Sequence, residues 1–260
     1  MKQKYTILFL AVLSAVFSCV QVDESMLDEN SAAEKVEMTF TATIDVEDAD
    51  TKTVLDGELG SGTRKVLWQP SDAIAVVAPN GMYAGWPPVE KFTATITEDS
   101  ESATFEGVIS YASEYRAFYP YQTELRDSMG FFVFNMPQVQ KYVDGSFDPN
   151  SAPMVAVAKH GENLKFRNLC GVLALRLSGD EAVKKVTFIG RDENGNAMPV
   201  SGTYEVNPAA EDGPELKCLR GVPSVTLECA SEVALGSASS VPFYFVLPPA
   251  TYSSFLVMIE

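Results

Sequence analysis

Side chains able to do chemistry are few in this chain, and their spacing works against most reactions. The single histidine, His160, stands in Lys159-His160-Gly161, so any centre needing two or three imidazoles is excluded, a His₃ zinc site included. A serine nucleophile would have to use His160 as its base. No Gly-x-Ser-x-Gly elbow occurs, and Gly60-Ser61-Gly62 lacks that spacing. Asp192-Glu193-Asn194-Gly195-Asn196 opens like a calcium loop, but Ala197 and Thr203 fill the sixth and twelfth positions, where Gly and a bidentate Glu are required. It reads instead as a hairpin turn, because Asn-Gly suits the two positive φ angles of a type I′ turn. Beyond Cys19, the three cysteines Cys170, Cys218 and Cys229 allow at most one disulfide. Cys218 and Cys229 flank Gly221-Val222-Pro223 and could face each other across a hairpin; their spacing is not that of a zinc site. With 35 acidic residues some carboxylate pair always falls close, so spacing neither supports nor excludes a glycosidase. No catalytic residue, cofactor or metal is expected, and the chain does not read as an enzyme. Recognition is better served. Trp68, Trp86, Phe118, Tyr119 and Tyr121 could stack on sugar faces, but Trp68 and Phe118 lie in alternating runs and read as core. Trp86, between Gly85 and Pro87-Pro88, lies in a loop and is the ligand-binding candidate.

These side chains belong to a chain of 260 residues with a formal charge of −16 and a pI of about 4.5. The length allows one large domain or two of roughly 100–150 residues, and 46% hydrophobic residues supply a sizeable core. An acidic surface repels phosphate backbones, whose binding rests on Lys and Arg. Nucleic acid is therefore not an expected partner.

Residues 1–18 read as an address. Lys2 and Lys4 precede Tyr5 to Ser18, an uncharged, mostly apolar run that ends in small residues. That run has 14 residues, against about 20 needed to cross a bilayer as a helix, so a signal peptide is the better reading. Val16-Phe17-Ser18-Cys19 resembles a bacterial lipobox, which implies cleavage before Cys19 and lipidation of Cys19. Loss of Lys2 and Lys4 then takes the formal charge to −18. Residues 19–35 read as an acidic tether: Asp23, Glu24, Asp28, Glu29 and Glu34 face one basic residue, Lys35, without an apolar period, which favours an extended, solvated chain. Acidic residues soon after a lipidated cysteine also resemble the signal that sends Bacteroidota lipoproteins to the outer face of the outer membrane.

From residue 36 onward the pattern is one of short strands. Val36 to Ile44 alternates apolar and polar residues and is the clearest strand. Further strands are predicted at 65–68, 73–79, 91–96, 102–108, 115–119 and 131–135. After the loop-rich stretch 144–153 they resume at 163–168, 171–178, 184–190, 198–206, 222–228, 241–247 and 253–259. Turn signals recur at roughly 8–12 residues, the spacing of sandwiches and barrels. The expectation is an all-β chain with two tandem β-sandwich domains, 36–155 and 156–260.

Several of these segments resemble a known family. Thr51-Lys52-Thr53, Val66-Leu67-Trp68-Gln69-Pro70-Ser71-Asp72-Ala73-Ile74-Ala75-Val76 and Tyr115-Arg116-Ala117-Phe118-Tyr119-Pro120-Tyr121 resemble the first domain of the fimbrillin-like (Mfa-like) lipoproteins of Bacteroidota. Pro153-Met154-Val155-Ala156, Leu164-Lys165-Phe166-Arg167-Asn168-Leu169-Cys170-Gly171-Val172-Leu173 and Pro248-Pro249-Ala250-Thr251-Tyr252 resemble the elements that open and end the second domain of that family. Ser71 departs from it, since the family usually has Gly before Asp72. The resemblance implies two transthyretin-like Greek-key sandwiches in tandem. It also implies a fimbrial subunit, fimbria-associated accessory protein or adhesin at the outer membrane surface or in a fimbrium. The implied partners are other subunits or further copies, the outer membrane through the lipid anchor, and a host protein or glycan.

A mode of assembly comes with the resemblance. Fimbrillins are exported as lipoproteins, a trypsin-like protease removes the N-terminal segment with its first strand, and the vacated groove accepts a C-terminal strand from the next subunit. Main-chain hydrogen bonds then supply affinity, and alternate side chains supply register. Val36 to Ile44 is the strand expected to leave, and Ser253 to Ile259 the strand expected to donate. Arg64, the first arginine of the chain, lies in Gly60-Ser61-Gly62-Thr63-Arg64-Lys65 and is the candidate processing site; it also reads as a surface residue that begins a strand. The last apolar run stops beside Glu260, so either that strand is terminal or the natural protein runs further. The competing reading is a monomeric outer-membrane surface lipoprotein that binds glycans or host proteins.

Overall fold

The computed structural model describes residues 34–45, 67–79 and 86–260. The signal segment, Cys19, the tether up to Ala33 and Arg64 lie outside these residues. The chain is all-β, and among the described residues the regular elements are strands and a 3-10 turn at Pro149–Ser151. Strands β1 (Lys35–Ile44), β2 (Ala73–Val77), β3 (Glu90–Ala94), β4 (Ser102–Ser110) and β5 (Glu114–Tyr119) come first. The middle of the chain supplies β6 (Arg126–Ser128), β7 (Phe131–Met136), β8 (Val139–Lys141), β9 (Met154–Lys159) and β10 (Leu164–Asn168). Then follow β11 (Gly171–Leu177), β12 (Ala182–Arg191), β13 (Ser201–Val206), β14 (Leu216–Val222), β15 (Val225–Ala234), β16 (Val241–Leu247) and β17 (Ser254–Ile259).

Alternation sends successive side chains to opposite sides of each strand. In β4, Ala103 and Phe105 are buried while Glu106 is exposed. Seven strands use this alternation to close a barrel in the order β1-β10-β9-β5-β2-β3-β4. Its interior is packed with Phe40, Trp68, Phe92, Phe105, Tyr115 and Phe166. Trp68 sits edge-on to Phe105, Tyr119 and Phe166, with ring centroids 5.1, 5.4 and 5.3 Å away. Where a sandwich is expected for the first block, β1 to β5 instead close a barrel together with β9 and β10, because β1 reaches from β4 across to β10.

The other strands form a pair, β11-β16, and two four-stranded sheets, β17-β12-β15-β8 and β14-β13-β7-β6. The pair is covered on both faces. Phe243, Phe245 and Leu247 pack with Val186, Phe188 and Leu227 in one core, and Tyr244 and Val246 pack with Phe118, Phe132, Phe134 and Val155 in another. Double cover is why Val241 to Leu247 is a nearly unbroken apolar run. Fully buried Gln140 acts as a substitute neighbour for β16: its amide Nε2–H donates to the Val246 carbonyl at 2.8 Å, and its Oε1 accepts from the Val246 N–H at 3.0 Å. Such pairing satisfies backbone groups that would otherwise be buried unpaired.

Early and late parts of the chain are tied together by β1 parallel to β10, β7 antiparallel to β13, and β8 parallel to β15. The boundary expected between residues 155 and 156 falls inside β9, which pairs with β5 and β10.

Two local expectations are corrected. The Asn194-Gly195 hairpin turn exists, with Arg191 bridged antiparallel to Ala197 and the Asp192 N–H donating to the Asn196 carbonyl at 3.0 Å, but only Gly195 has a positive φ (79°), so the turn is not type I′. The Asp192 carboxylate is the reason: it accepts the Asn194 and Asn196 N–H groups at 2.9 and 2.8 Å, building an Asx turn. The two-residue loop with both φ values positive is Met129-Gly130 (55° and 94°), between β6 and β7. Buried Asp127 holds that loop, accepting the Gly130 N–H at 2.9 Å and pairing with Arg116 at 3.0 Å. Likewise Cys218 and Cys229 do not face each other across a hairpin, because β14 and β15 belong to different sheets; Cys170, Cys218 and Cys229 are all free thiols.

Candidate functional site

The strand expected to leave is β1, and it closes the barrel. One edge forms an antiparallel ladder with β4, from Lys35↔Ser110 to Thr43↔Ser102. The other edge meets β10 only at Ala42, Thr43 and Ile44. Among the described residues no strand pairs with that edge from Lys35 to Thr41. Met38, Phe40, Ala42 and Ile44 point into the barrel core. Phe40, 4% exposed, lies edge-on to Phe92 and Tyr115, with centroids 5.3 and 5.0 Å away. Burying one such ring stabilises the fold by about 1.5–3 kcal/mol. Opposite Met38, Gly107 leaves room for the Phe92 ring, since a Cβ at that position would lie 2.7 Å from it. The ends of β1 are pinned by Lys35 Nζ to Glu90 Oε1 at 2.6 Å and by the Asp45 N–H to the Phe166 carbonyl at 2.8 Å. Loss of β1 would leave a groove between β4 and β10, floored by Phe92, Phe105, Tyr115 and Phe166.

The strand expected to donate is β17. Its pairing with β12 is regular from Arg191↔Ser254 to Val186↔Ile259, and among the described residues nothing pairs with its other edge. Phe255, Leu256, Met258 and Ile259 are all exposed, while Val257 is half-buried against the core beneath. Phe255 stacks on Phe188 with centroids 5.7 Å apart.

Trp86 precedes β3 and is 55% exposed, with the Arg126 guanidinium over its ring at 4.6 Å. Trp68, Phe118 and Tyr119 are core residues, and Tyr121 is half-buried with Lys91 Nζ 5.4 Å from its ring centroid. Cys19 and Arg64 lie outside the described residues.

Among the described residues the remaining polar groups serve local structure or stand exposed. His160 is exposed and lies 4.6 Å from the Tyr111 ring, centroid to centroid. Asp72 accepts the Gln69 N–H at 2.8 Å and the Tyr119 O–H at 2.9 Å. Burial pushes the Asp72 carboxyl above the usual carboxylate range and the Tyr119 phenol well above its own; together the pair fixes the turn before β2. Burial likewise raises the Cys170 thiol, which keeps it protonated and unreactive. A groove of about 610 Å³ beside β13 and β14 is rimmed by Glu205, Glu211, Asp212 and Glu215. Among the described residues no group of His, Cys, Asp and Glu is arranged to hold a metal.

Sequence reasoning does not single out Phe92 and Tyr115 as the floor beneath β1. The signal that marks them is alternation, Phe92 with Ala94 and Tyr115 with Ala117 and Tyr119, all buried. No family model, curated protein or solved structure matches this chain.

Proposed function

We propose that the chain is a lipoprotein, lipidated at Cys19 and displayed on the outer membrane surface. It serves as a fimbrial subunit or fimbria-associated adhesin and assembles by donor-strand exchange after trimming at Arg64. The observation that carries this reading is β1, a strand upstream of Arg64 that closes an aromatic-lined barrel yet meets β10 through three residue pairs. A cut after Arg64 leaves β1 held by noncovalent contacts alone. Its departure frees two backbone edges and an apolar floor, which is the chemistry that strand addition requires. β17 offers a matching strand, with Phe255, Val257 and Ile259 alternating as Met38, Phe40, Ala42 and Ile44 do in β1. Two transthyretin-like Greek-key sandwiches in tandem belong to the same reading. It is supported by separate apolar cores inside the barrel and between β11-β16 and β17-β12-β15-β8.

Limited trypsin digestion of the full chain, followed by intact mass and light scattering, tests this. The expected result is a cut within 46–66, release of β1 and growth into oligomers. A trimmed protein that stays monomeric and binds no Ser253–Glu260 peptide in the vacated groove ends the reading. The exposed Trp86 favours a second one, a monomeric surface lipoprotein that binds glycans or host proteins. Glycan-array binding lost in Trp86→Ala would support it, and an array without hits would remove its glycan form.

A further inference from the structure

β17 is the densest run of exposed apolar side chains among the described residues: Phe255, Leu256, Met258 and Ile259 are 58, 42, 47 and 52% exposed. Edge strands are ordinarily blunted by a lysine, a proline, a bulge or a covering segment. Here the strand reads Ser-Phe-Leu-Val-Met-Ile, uncharged and without a break in its register against β12. The protein as a whole carries a formal charge of −16, so two copies repel across most approaches, and least along an uncharged edge.

We propose that a second copy of this chain occupies that edge. β17 pairs antiparallel with its counterpart across a two-fold axis, continuing the four-stranded sheet into a sheet of twice the width. A two-fold perpendicular to the sheet maps each face onto itself, so residues that stand opposite must share a face. Phe255, Val257 and Ile259 share the side of β12 residues Gly190, Phe188 and Val186, and Leu256 and Met258 lie on the other. Centring the axis on Val257 sets Val257 against itself, Phe255 against Ile259, and Leu256 against Met258. Every one of these pairs is apolar, including an aromatic to β-branched pair, a favoured cross-strand combination. Centring on Leu256 instead sets Met258 against Ser254 and Ile259 against Ser253, and centring on Met258 sets Leu256 against the charged Glu260. The strand is therefore complementary to itself in one register. This pairing goes beyond strand exchange: it needs neither cleavage nor the loss of β1, and it uses the edge of β17 while the strand stays on β12.

A six-residue edge falls short of the roughly 1,200 Å² at which stable interfaces begin, so dimers are expected at micromolar concentrations. Sedimentation velocity on the full uncleaved chain in mild detergent, from about 1 to 200 µM, should show a concentration-dependent dimer. Leu256→Lys and Met258→Lys, on the exposed side and so compatible with folding, should each weaken it by about tenfold or more. Register is read separately, in a Cys218→Ser, Cys229→Ser background under mild oxidation. There Val257→Cys should form a disulfide-linked dimer, and Leu256→Cys, which faces Met258 of the second copy, should not. A chain that stays monomeric throughout, or a dimer indifferent to Leu256→Lys, overturns the proposal. So does hydrogen exchange that finds β17 protected on its free edge in a monomer, since another segment of the same chain would then hold the edge. An uncleaved chain that dimerises this way but stays monomer and dimer after trimming would end the strand-exchange reading and leave this one standing.

Discussion

β1 and β17 are built alike and end up differently. Each turns a row of apolar residues toward a core and pairs along one full edge with an antiparallel neighbour. Yet Phe40 on β1 is 4% exposed between Phe92 and Tyr115, whereas Phe255 on β17 is 58% exposed beside Phe188. What differs is the layer opposite. β1 turns its apolar side into a barrel that closes around it, while β17 is the outermost strand of a four-stranded sheet faced by the two-stranded β11-β16. A narrow layer cannot cover a wide one, so the core-side residues Phe255 and Ile259 stay in contact with solvent. An apolar row thus specifies a strand and the side it turns inward, and the width of the facing layer decides how much of that side is buried.

That contrast can be broken or sharpened by substitution. The largest effect is expected at Phe40, where Phe40→Ala should cost about 3–5 kcal/mol in chemical denaturation, while Phe255→Ala should cost less than about 1 kcal/mol. Equal losses would mean that β1 is no better buried than β17. Gly107→Ala comes next, at about 1–3 kcal/mol, because its Cβ would lie 2.7 Å from the Phe92 ring and 2.8 Å from the Lys91 carbonyl. Wild-type stability in that variant would show that Phe92 can move off β1 freely.

Tyr119→Phe removes the hydroxyl that donates to Asp72 and should cost about 1–3 kcal/mol, with a dependence on pH. Burial raises the folded-state value of Asp72 above 3.8. A carboxyl raised in this way contributes stability that is fully present below its unfolded value and is lost as pH rises through its folded value. The lost hydrogen bond favoured the charged form, so the deficit of Tyr119→Phe should be larger at neutral pH than at acid pH. Thermal melts showing the same deficit at both would exclude Tyr119 as the support of a charged Asp72. The smallest effect belongs to Lys35→Ala. Its ion pair with Glu90 leaves the lysine side chain 48% exposed, so the loss should stay below about 1 kcal/mol and shrink in salt. A larger loss would make the start of β1 a strong point of attachment.

Strand positions were easier to read from the residues than strand partners. β1, β5 and β16 are marked by alternation or by an unbroken apolar run, and the runs at 36–44, 115–119 and 241–247 coincide closely with them. Three-residue β6 and β8 are too short to show a period, and β14 is exposed along almost its whole length, so its residues carry no apolar side to detect. Both halves of the candidate site were visible as strands, and Trp86 as an exposed ring. The groove beneath β1 was not visible, because it depends on β10, whose three-residue parallel pairing with β1 joins positions far apart in sequence. At Asn194-Gly195 the hairpin turn was legible and its type was not: Arg191 pairs antiparallel with Ala197, but the carboxylate of Asp192 accepts the Asn194 and Asn196 N–H groups and shapes a turn other than type I′.

Closing the barrel through β10 also sets a timetable for biogenesis. β10 ends about 50 residues after β5 does, an interval of roughly 2–10 s at ordinary rates of synthesis. Until Leu164 to Asn168 have been made, the earlier strands can form a curved sheet but not a barrel, with the far edge of β1 and the ring of Tyr115 open to other chains. A chain at that stage carries an unpaired strand edge and an uncovered ring, and a holding factor that recognises unpaired strands would find both there.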